Sequence, residues 1–192
     1  SQQIRAMESE DFAALTSAQL RGMETRDLAA LASADVAQFT SGQLAGLGST
    51  QLRALASDAI VGIGTDALGA LSGAQVAALT TAQVAGLSTE QLAGLGSAQL
   101  RGLGSAQLAA LGTEHLNVLG SDQIAALSSS QIASLTSSQI KSLSQAQIAS
   151  LSTDDLTTLT QEQFANFVTR QLASLSASQV ASLDAADLAS LN

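Results

Sequence analysis

The sequence predicts an all-α solenoid of 24 eight-residue repeats, each one short helix plus a tight turn, with about three or four repeats per coil. The 192 residues divide into octads from Ser1 without insertion or deletion, as in SAQLRGLG followed by SAQLAALG. Positions four and seven of every octad are apolar, and Ser, Thr or Gly recurs at the octad boundaries. We number the octads from Ser1 and call them repeats 1–24.

The composition and the spacing favour short helices over strands or one long helix. Ala, Leu and Gln are good helix formers, and apolar residues three positions apart share one helix face. Eight residues make about 2.2 helical turns, so in a continuous helix the apolar stripe would rotate by roughly 80° per octad. We therefore expect a helix of five to seven residues in each octad, followed by a turn of one or two residues.

The boundary between octads has the chemistry of a helix start. In the stretch LSTEQLAGL, Ser88 as N-cap places Gln91 at N3, which makes a capping box. Leu87 and Leu92 would then form the hydrophobic staple. At the following boundary, Gly96 is expected to end the helix in the left-handed conformation.

A second frame fits the same stretch. Thr89 as N-cap would place Glu90 in the first turn, where a carboxylate is favoured by the helix dipole. Both frames place one cap in each octad.

The apolar columns define the expected core. Helices this short need neighbours, so positions four and seven are expected to point inward and stack, giving 48 buried side chains in the array. Small residues at positions five and six would let helices approach closely. Three or four octads per coil would make six to eight coils, either as an open solenoid or as a closed ring.

Position three carries the most regular polar feature. It is Gln in 16 octads and Asp in five, with Ala59, Ala67 and His115 in the other three. The favoured interpretation is a ladder of amides bonding to neighbouring turns; the alternative is a strip that binds a ligand. His115 is interpreted as a hydrogen-bonding substitute for Gln rather than as a catalytic group or a metal ligand.

The composition excludes several classes of partner. Seven basic and 16 acidic residues give a net charge of −9, which opposes binding to nucleic acid or to anionic lipid. The chain has no Cys and no run of about 18 apolar residues, so no disulfide, thiolate metal site or membrane insertion is expected. Because Ser1 starts within the repeat pattern, residues 1–192 are expected to be one repeat domain from a longer chain.

Two pairs of carboxylates are candidates for reactive groups. Asp154 and Asp155 are adjacent, and Asp184 and Asp187 are three residues apart. Such pairs can serve in acid–base catalysis or bind Ca²⁺, but Asp at the start of a helix also favours the helix dipole, and we prefer that structural role. The sequence contains no motif for phosphate, dinucleotide, zinc or nucleophile chemistry. No catalytic, cofactor-binding or metal residues are predicted, and the chain is predicted not to be an enzyme.

Other departures from the repeat fall near the two ends of the sequence. Phe164, Phe167 and Val168 crowd one late octad. Charged residues are dense in the first octads, where a polar coil would cap the solenoid, although drift within a tolerant array explains them equally well. These residues are Arg5, Glu8, Glu10, Asp11, Arg21, Glu24, Arg26 and Asp27.

Stretches such as LTTAQVAGL (Leu79 to Leu87) and LTSSQIKSL (Leu135 to Leu143) resemble a known low-complexity family. It is the L-T/S-x-x-Q-I/V-x-x-L octapeptide array of large bacterial haemagglutinin- or adhesion-type proteins. The resemblance covers all 24 octads. It implies a secreted or cell-surface location and a role as a stalk, spacer or scaffold, and it transfers no catalytic residues.

Two classes of function therefore follow from the sequence. The leading one is a non-catalytic structural module. The alternative is a binding module whose Ser/Thr or Gln columns recognise a glycan, a host protein or ice. Self-association is open under either reading.

Overall fold

The computed structural model describes residues 9–191, and this part of the chain contains 22 α-helices, one 3₁₀ helix and no strand. The predicted all-α solenoid of short helical repeats is confirmed. The helices are four to six residues long, slightly shorter than expected. The α-helices span Ser9–Ala14, Ser17–Arg21, Thr25–Leu28, Ser33–Val36, Ser41–Ala45, Ser49–Ala54, Thr65–Gly69, Gly73–Ala78, Thr81–Ala85, Thr89–Ala93, Ser97–Gly102, Ser105–Ala109, Thr113–Asn117, Ser121–Ala125, Ser129–Ala133, Ser137–Ser142, Gln145–Ala149, Thr153–Thr157, Gln161–Phe164, Thr169–Leu172, Ala177–Ser182 and Ala185–Ser190, and the 3₁₀ helix spans Ile60–Gly62.

Each α-helix begins at position one of its octad, and from Ser17 onward position eight of the preceding octad is the N-cap. The 3₁₀ helix Ile60–Gly62 begins at position four instead, after Ala59. Ser88 caps the helix Thr89–Ala93, with φ −73° and ψ 162°, so the first of the two frames is confirmed. Thr89 is the first helical residue and not the cap, because the capping oxygen and Gln91 at N3 must be three residues apart.

The expectation for Gly96 was wrong. Gly96 has an extended backbone (φ −77°, ψ 164°) and is the N-cap of the helix Ser97–Gly102. No residue in the described part of the chain has a positive φ. At the end of that helix, Leu103 (φ −66°, ψ 131°) and Gly104 (φ −78°, ψ 161°) are both extended. Two extended residues turn the corner, so no left-handed residue is needed.

Three repeats make one coil, because helices three repeats apart pack on one another. Side-chain bonds show the same interval: Arg21 Nε donates to the Gly46 carbonyl (2.9 Å) and Arg53 Nε to the Ala78 carbonyl (3.2 Å), each 25 residues further on. The chain forms two compact units, which divide between Leu103 and Gly104. Each unit is built from coils of this kind.

The apolar columns form the core of each unit, and both are buried from repeat 4 to repeat 21. The expectation of 48 buried side chains was too high, because Val180 and Leu188 are exposed and five others are half-buried: Leu15, Met23, Leu172, Leu175 and Leu191. Ile4 and Met7 lie outside the described residues. From repeat 2 to repeat 21 the position-four side chain is at most 1% exposed. The position-seven side chain is buried from Leu31 to Phe167. Each such side chain contributes roughly 1.5–3 kcal/mol when fully buried. Because every repeat adds two of them, the helices are stable together although each is too short to be stable alone.

Position six lies against position one of the repeat three before it, and at some repeats this contact leaves no room for a side chain. A Cβ on Gly102 would overlap the carbonyl oxygen of Gly73. A Cβ on Gly62 would likewise overlap the carbonyl of Ser33. The expected close approach is therefore confirmed at position six.

Candidate functional site: the position-three column

The column at position three lies at the N-terminus of each helix, and Gln91 shows how it works. Gln91 Oε1 accepts the N–H of Ser88 at 2.8 Å, and the Gln91 N–H donates to Ser88 Oγ at 3.2 Å. These two bonds are the predicted capping box, and they satisfy two donors that the helix itself leaves unpaired.

The amide nitrogen of the same side chain bonds to the coil below. Gln91 Nε2 donates to the carbonyls of Ile60 (3.0 Å), Val61 (3.3 Å) and Ile63 (2.7 Å), 28 to 31 residues earlier. These carbonyls lie at or just after the 3₁₀ helix Ile60–Gly62, where the last carbonyls of a helix have no partner in the next turn. The Ile60 carbonyl also accepts the Ile63 N–H at 3.1 Å. One amide therefore caps its own helix and closes the end of another.

This arrangement repeats along the column. Gln99 donates to the carbonyls of Leu68, Gly69 and Leu71, and Gln171 to those of Ile140, Lys141 and Leu143. The buried position-three glutamines are Gln43, Gln51, Gln83, Gln91, Gln99, Gln107, Gln131, Gln139, Gln147, Gln163, Gln171 and Gln179. In the described part of the chain, no buried side-chain nitrogen or oxygen lacks a hydrogen-bond partner. The amide ladder is confirmed, and these buried amides do not form an exposed strip.

His115 takes the place of Gln in this network. Its Nδ1 accepts the Gly112 N–H at 3.1 Å, which is the bond that a Gln Oε1 makes elsewhere. The bond requires an unprotonated Nδ1. The interpretation of His115 as a hydrogen-bonding substitute is therefore confirmed.

Asp155 is also part of the column and is buried. Its Oδ2 accepts the Ser152 N–H at 2.8 Å, and its Oδ1 accepts the hydroxyl of Ser129, in the coil below, at 2.8 Å. Its neighbour Asp154 is exposed in the same first turn. The carboxylate of Asp155 is thus engaged on both oxygens by the fold.

Asp184 and Asp187 form a reciprocal cap. Asp187 Oδ2 accepts the Asp184 N–H at 3.2 Å, and Asp184 Oδ1 accepts the Asp187 N–H at 2.8 Å. Both carboxylates therefore lie at a helix N-terminus, where negative charge is favoured.

The hydroxyl columns are used in similar ways. Ser or Thr at position eight caps the next helix, as Thr80 does by accepting the Gln83 N–H at 3.1 Å. Ser at position six donates back to its own helix, as Ser142 does to the Gln139 carbonyl at 2.8 Å. At position one, Ser17 donates to the Gly42 carbonyl of the next coil at 2.9 Å.

The pKa of the Glu90 carboxyl group is lowered. A hydrogen bond from its own backbone N–H, followed by bonds from the side chains of Ser88 and Thr89, holds its pKa below the usual value. Glu90 is exposed in the first turn of its helix. The shift is what a carboxylate beside free backbone donors at a helix start should show.

Residues 9–191 contain no pocket and no group of three or more His, Cys, Asp or Glu side chains placed to hold a metal ion. No helix in this range is long enough to cross a bilayer.

The sequence predicts both the cap and the amide ladder, but not which carbonyls accept the bonds of the ladder. The bond to Ser88 is three residues away and follows from the S-x-x-Q pattern. The Nε2 bonds to Ile60 and Ile63 depend on how many repeats form a coil, which the pattern does not state. A weak signal was available, because a cap alone needs only an acceptor while the column strongly prefers Gln to Asp.

The repeat also matches a family model. The ALTTAQ repeat matches seven overlapping segments: residues 4–41, 22–57, 44–81, 60–97, 73–105, 84–119 and 102–137. This chain belongs to the ALTTAQ-repeat family. The letters themselves occur from Ala78 to Gln83, where Thr80 is the N-cap and Gln83 is the N3 residue of an ALTTAQ repeat. The family motif therefore spans the boundary between two octads and includes the capping box formed by Thr80 and Gln83. A search of curated proteins gives no match.

Proposed function

We propose that this ALTTAQ array is a non-catalytic spacer or scaffold module of a bacterial surface or secreted protein. The observation that supports the proposal most is the use of the polar columns. In the described part of the chain the Gln side chains cap helices and join coils, and every buried polar side-chain atom is paired. Side chains that make these bonds stabilise the array and are not arranged around a substrate.

The coil is a unit of length. Each coil contributes its own apolar columns and takes its Gln bonds from neighbouring coils, so stability grows by adding coils. Packed helices lie about 8–10 Å apart, so each added coil extends the stack by about that distance. An array of this kind sets a spacing through the number of its coils.

The location rests on resemblance. Repeats such as LTSSQIKSL resemble octapeptide arrays of large haemagglutinin- or adhesion-type bacterial proteins, which act outside the cell. The acidic charge of −9 suits a segment that stays hydrated and does not bind nucleic acid or anionic lipid.

Removal of one coil tests the spacer role. We would delete residues 129–152, which are three whole repeats, and measure the maximum dimension by small-angle X-ray scattering. We expect a decrease of about 8–10 Å with unchanged helicity per residue. Deletion of residues 129–132 is the control, since half a repeat shifts the apolar columns out of register and should lower the melting temperature. An unchanged maximum dimension after the coil deletion contradicts the spacer role.

Location and binding are tested separately. Protease treatment of intact cells of the source organism should release peptides of the array; release only after lysis contradicts a surface location. The purified chain should also give no signal on a glycan array. A glycan that binds the chain, and that is lost when exposed Ser residues are replaced by Ala with helicity intact, would favour the binding module.

A further inference from the structure

Repeats 4 and 5, residues 25–40, take no part in the amide ladder that joins the coils. A ladder Gln reaches back to the repeat four before its own, so the amides for repeats 4 and 5 would come from repeats 8 and 9, which carry Ala59 and Ala67. Repeats 4 and 5 also have Asp at position three, and an ionised carboxylate has no hydrogen to donate. No side-chain amide of the described residues donates to their carbonyls at positions four and seven, which are those of Leu28, Leu31, Val36 and Phe39.

This gap in the ladder lies between repeats that belong to the ladder. Repeats 2 and 3, before it, accept the amides of Gln43 and Gln51. Repeats 6 and 7, after it, accept the amides of Gln75 and Gln83 at 2.7–3.0 Å. The gap therefore comes from the two adjacent Ala residues at position three and not from the place where the chain begins.

The boundary between repeats 5 and 6 is crossed by fewer ladder amides than a boundary later in the same unit. Two amides cross it, whereas four cross the boundary between repeats 9 and 10. They are Gln43 and Gln51 at the first boundary, and Gln75, Gln83, Gln91 and Gln99 at the second. The other side-chain bonds do not offset the difference, because Ser17 and Arg21 bond across the first boundary and Arg53 across the second. At positions four and seven, the side chains of repeats 4, 5 and 10 are all at most 4% exposed, so the apolar core is equally complete.

We propose that the boundary between repeats 5 and 6 is a release point of the array, which opens before the boundary between repeats 9 and 10. Local opening takes place where the fewest interactions must be broken. A coil of three repeats occupies about 8–10 Å of the stack, whereas its 24 residues span at most about 79–86 Å when extended. Opening under tension therefore lengthens the module severalfold at this point, a role that rests on the proposed function as a spacer.

Native-state hydrogen exchange of the full chain, followed by NMR, tests the release point independently of the spacer role. The reporters are the N–H groups of Leu28 and Val36 at the gap and of Val76 and Val84 beyond it, each of which donates to the N-cap carbonyl of its own helix. Leu28 and Val36 should exchange at least about tenfold faster, because two fewer amides hold the boundary beside them. Equal exchange rates at the four N–H groups overturn the proposal.

Two matched variants separate the ladder from mere distance to an end of the chain. A59Q/A67Q supplies two amides to repeats 4 and 5, and should slow exchange at Leu28 and Val36 at least about tenfold without slowing it at Val84. Q91A/Q99A removes the amides that repeats 8 and 9 accept, which puts these repeats in the state of repeats 4 and 5, so the Leu68 N–H should exchange at least about tenfold faster. Circular dichroism checks that each variant is folded. Unchanged rates at Leu28 and Val36 in folded A59Q/A67Q overturn the proposal; if that variant does not fold, an unchanged rate at Leu68 in Q91A/Q99A does so.

Optical tweezers attached to both ends of the full chain test the response to tension. The first opening step should occur at a lower force than the later ones and should release the residues before repeat 6, which span at most about 130–145 Å when extended. A59Q/A67Q should raise the force of this step. Opening of the whole chain in one step overturns release under tension. A coil deletion that does not shorten the chain contradicts the spacer role instead, and leaves the hydrogen-exchange test of the release point unaffected.

Discussion

Repeats 8 and 9 contrast with repeats 11 to 13, although all have the same apolar columns. Repeats 11 to 13 carry Gln at position three, and each amide caps its helix and bonds to an earlier repeat. Repeats 8 and 9 carry Ala59 and Ala67, and no side chain caps the Gly64 N–H. Yet Ile60 and Leu68 are as buried as Leu92. Burial of the apolar columns therefore does not depend on the amide ladder.

The contrast also shows what the ladder adds. Repeat 8 forms a 3₁₀ helix, Ile60–Gly62, where its neighbours form α-helices. Its carbonyls still accept the Gln91 amide, so repeat 8 keeps its role as acceptor and loses only its role as donor. The Gln side chains cap the helix starts and form hydrogen bonds between coils, whereas burial of the apolar columns stabilises each coil.

Truncation of a buried position-four side chain should have the largest effect on stability, and the effect should be similar in both regions. Leu92→Ala in repeat 12 and Ile60→Ala in repeat 8 should each cost about 2–5 kcal/mol in the free energy of unfolding, because both side chains are fully buried. Denaturant titration measures the loss. Val61→Ala is the control, since Val61 is 53% exposed and its truncation should change little. A much smaller loss at Ile60 than at Leu92 would show that the apolar column is weakened in repeat 8.

The amide ladder should matter only where it exists. Gln91→Ala removes the acceptor of the Ser88 N–H and the amide donor to the carbonyls of repeat 8, and should cost about 1–3 kcal/mol. Gln19→Ala is the matched control, because among the described residues it removes a cap and no bond to an earlier coil. Hydrogen exchange should show faster exchange in repeats 8 and 12 for Gln91→Ala. Equal losses for the two variants would mean that the bonds between coils add nothing.

The close approach of helices gives a second matched pair. Gly102→Ala should cost about 1–3 kcal/mol, since its Cβ meets the Gly73 backbone, which a helix shift must relieve. Gly69→Ala, in repeat 9, meets no atom within 4 Å and should stabilise the chain by about 0.5–1 kcal/mol. Thermal denaturation distinguishes the two signs. If Gly102→Ala left the melting temperature unchanged, the distance between these two coils would be able to adjust at little cost.

A Gln at position three of repeat 9 should extend the amide ladder into the region that lacks it. Ala67→Gln offers Oε1 to the Gly64 N–H and Nε2 to the carbonyls of Val36 and Phe39, which lie 28 to 31 residues earlier by the register that Gln91 shows. We expect a gain of about 0.5–1.5 kcal/mol, measured by denaturant titration. Ala67→Glu is the control, because it keeps the acceptor and lacks the donor. Destabilisation by Ala67→Gln would show that repeats 8 and 9 are packed for Ala.

The smallest effect is the pH dependence at repeat 12. The pKa of Glu90 is lowered in the folded state, so its stabilising contribution is present above the unfolded pKa and is lost as the pH falls through the folded pKa. The wild-type melting temperature should therefore fall slightly more than that of Glu90→Gln when the pH is taken below 4.5. Parallel melting curves of the two proteins at each pH would contradict the assignment.

Several features were set by the sequence because they are local. The cap at Ser88 and the partner at Gln91 are three residues apart, so the backbone of one turn is enough to bring them together. The inward direction of positions four and seven follows from helix periodicity in the same way. The helix boundary, the core columns and the role of His115 could therefore be read from residues within a single octad.

Only the tertiary structure decided how octads combine. Two extended residues at a corner, such as Leu79 and Thr80, help to set the angle that closes a coil after three repeats. That closure places Gln91 Nε2 against Ile60 and Ile63, and it gives Gly102 its close contact with Gly73. The sequence permitted three or four repeats per coil because each satisfies the same local pattern. Packing between residues about 24 apart selects one of them, and no rule confined to an octad contains that information.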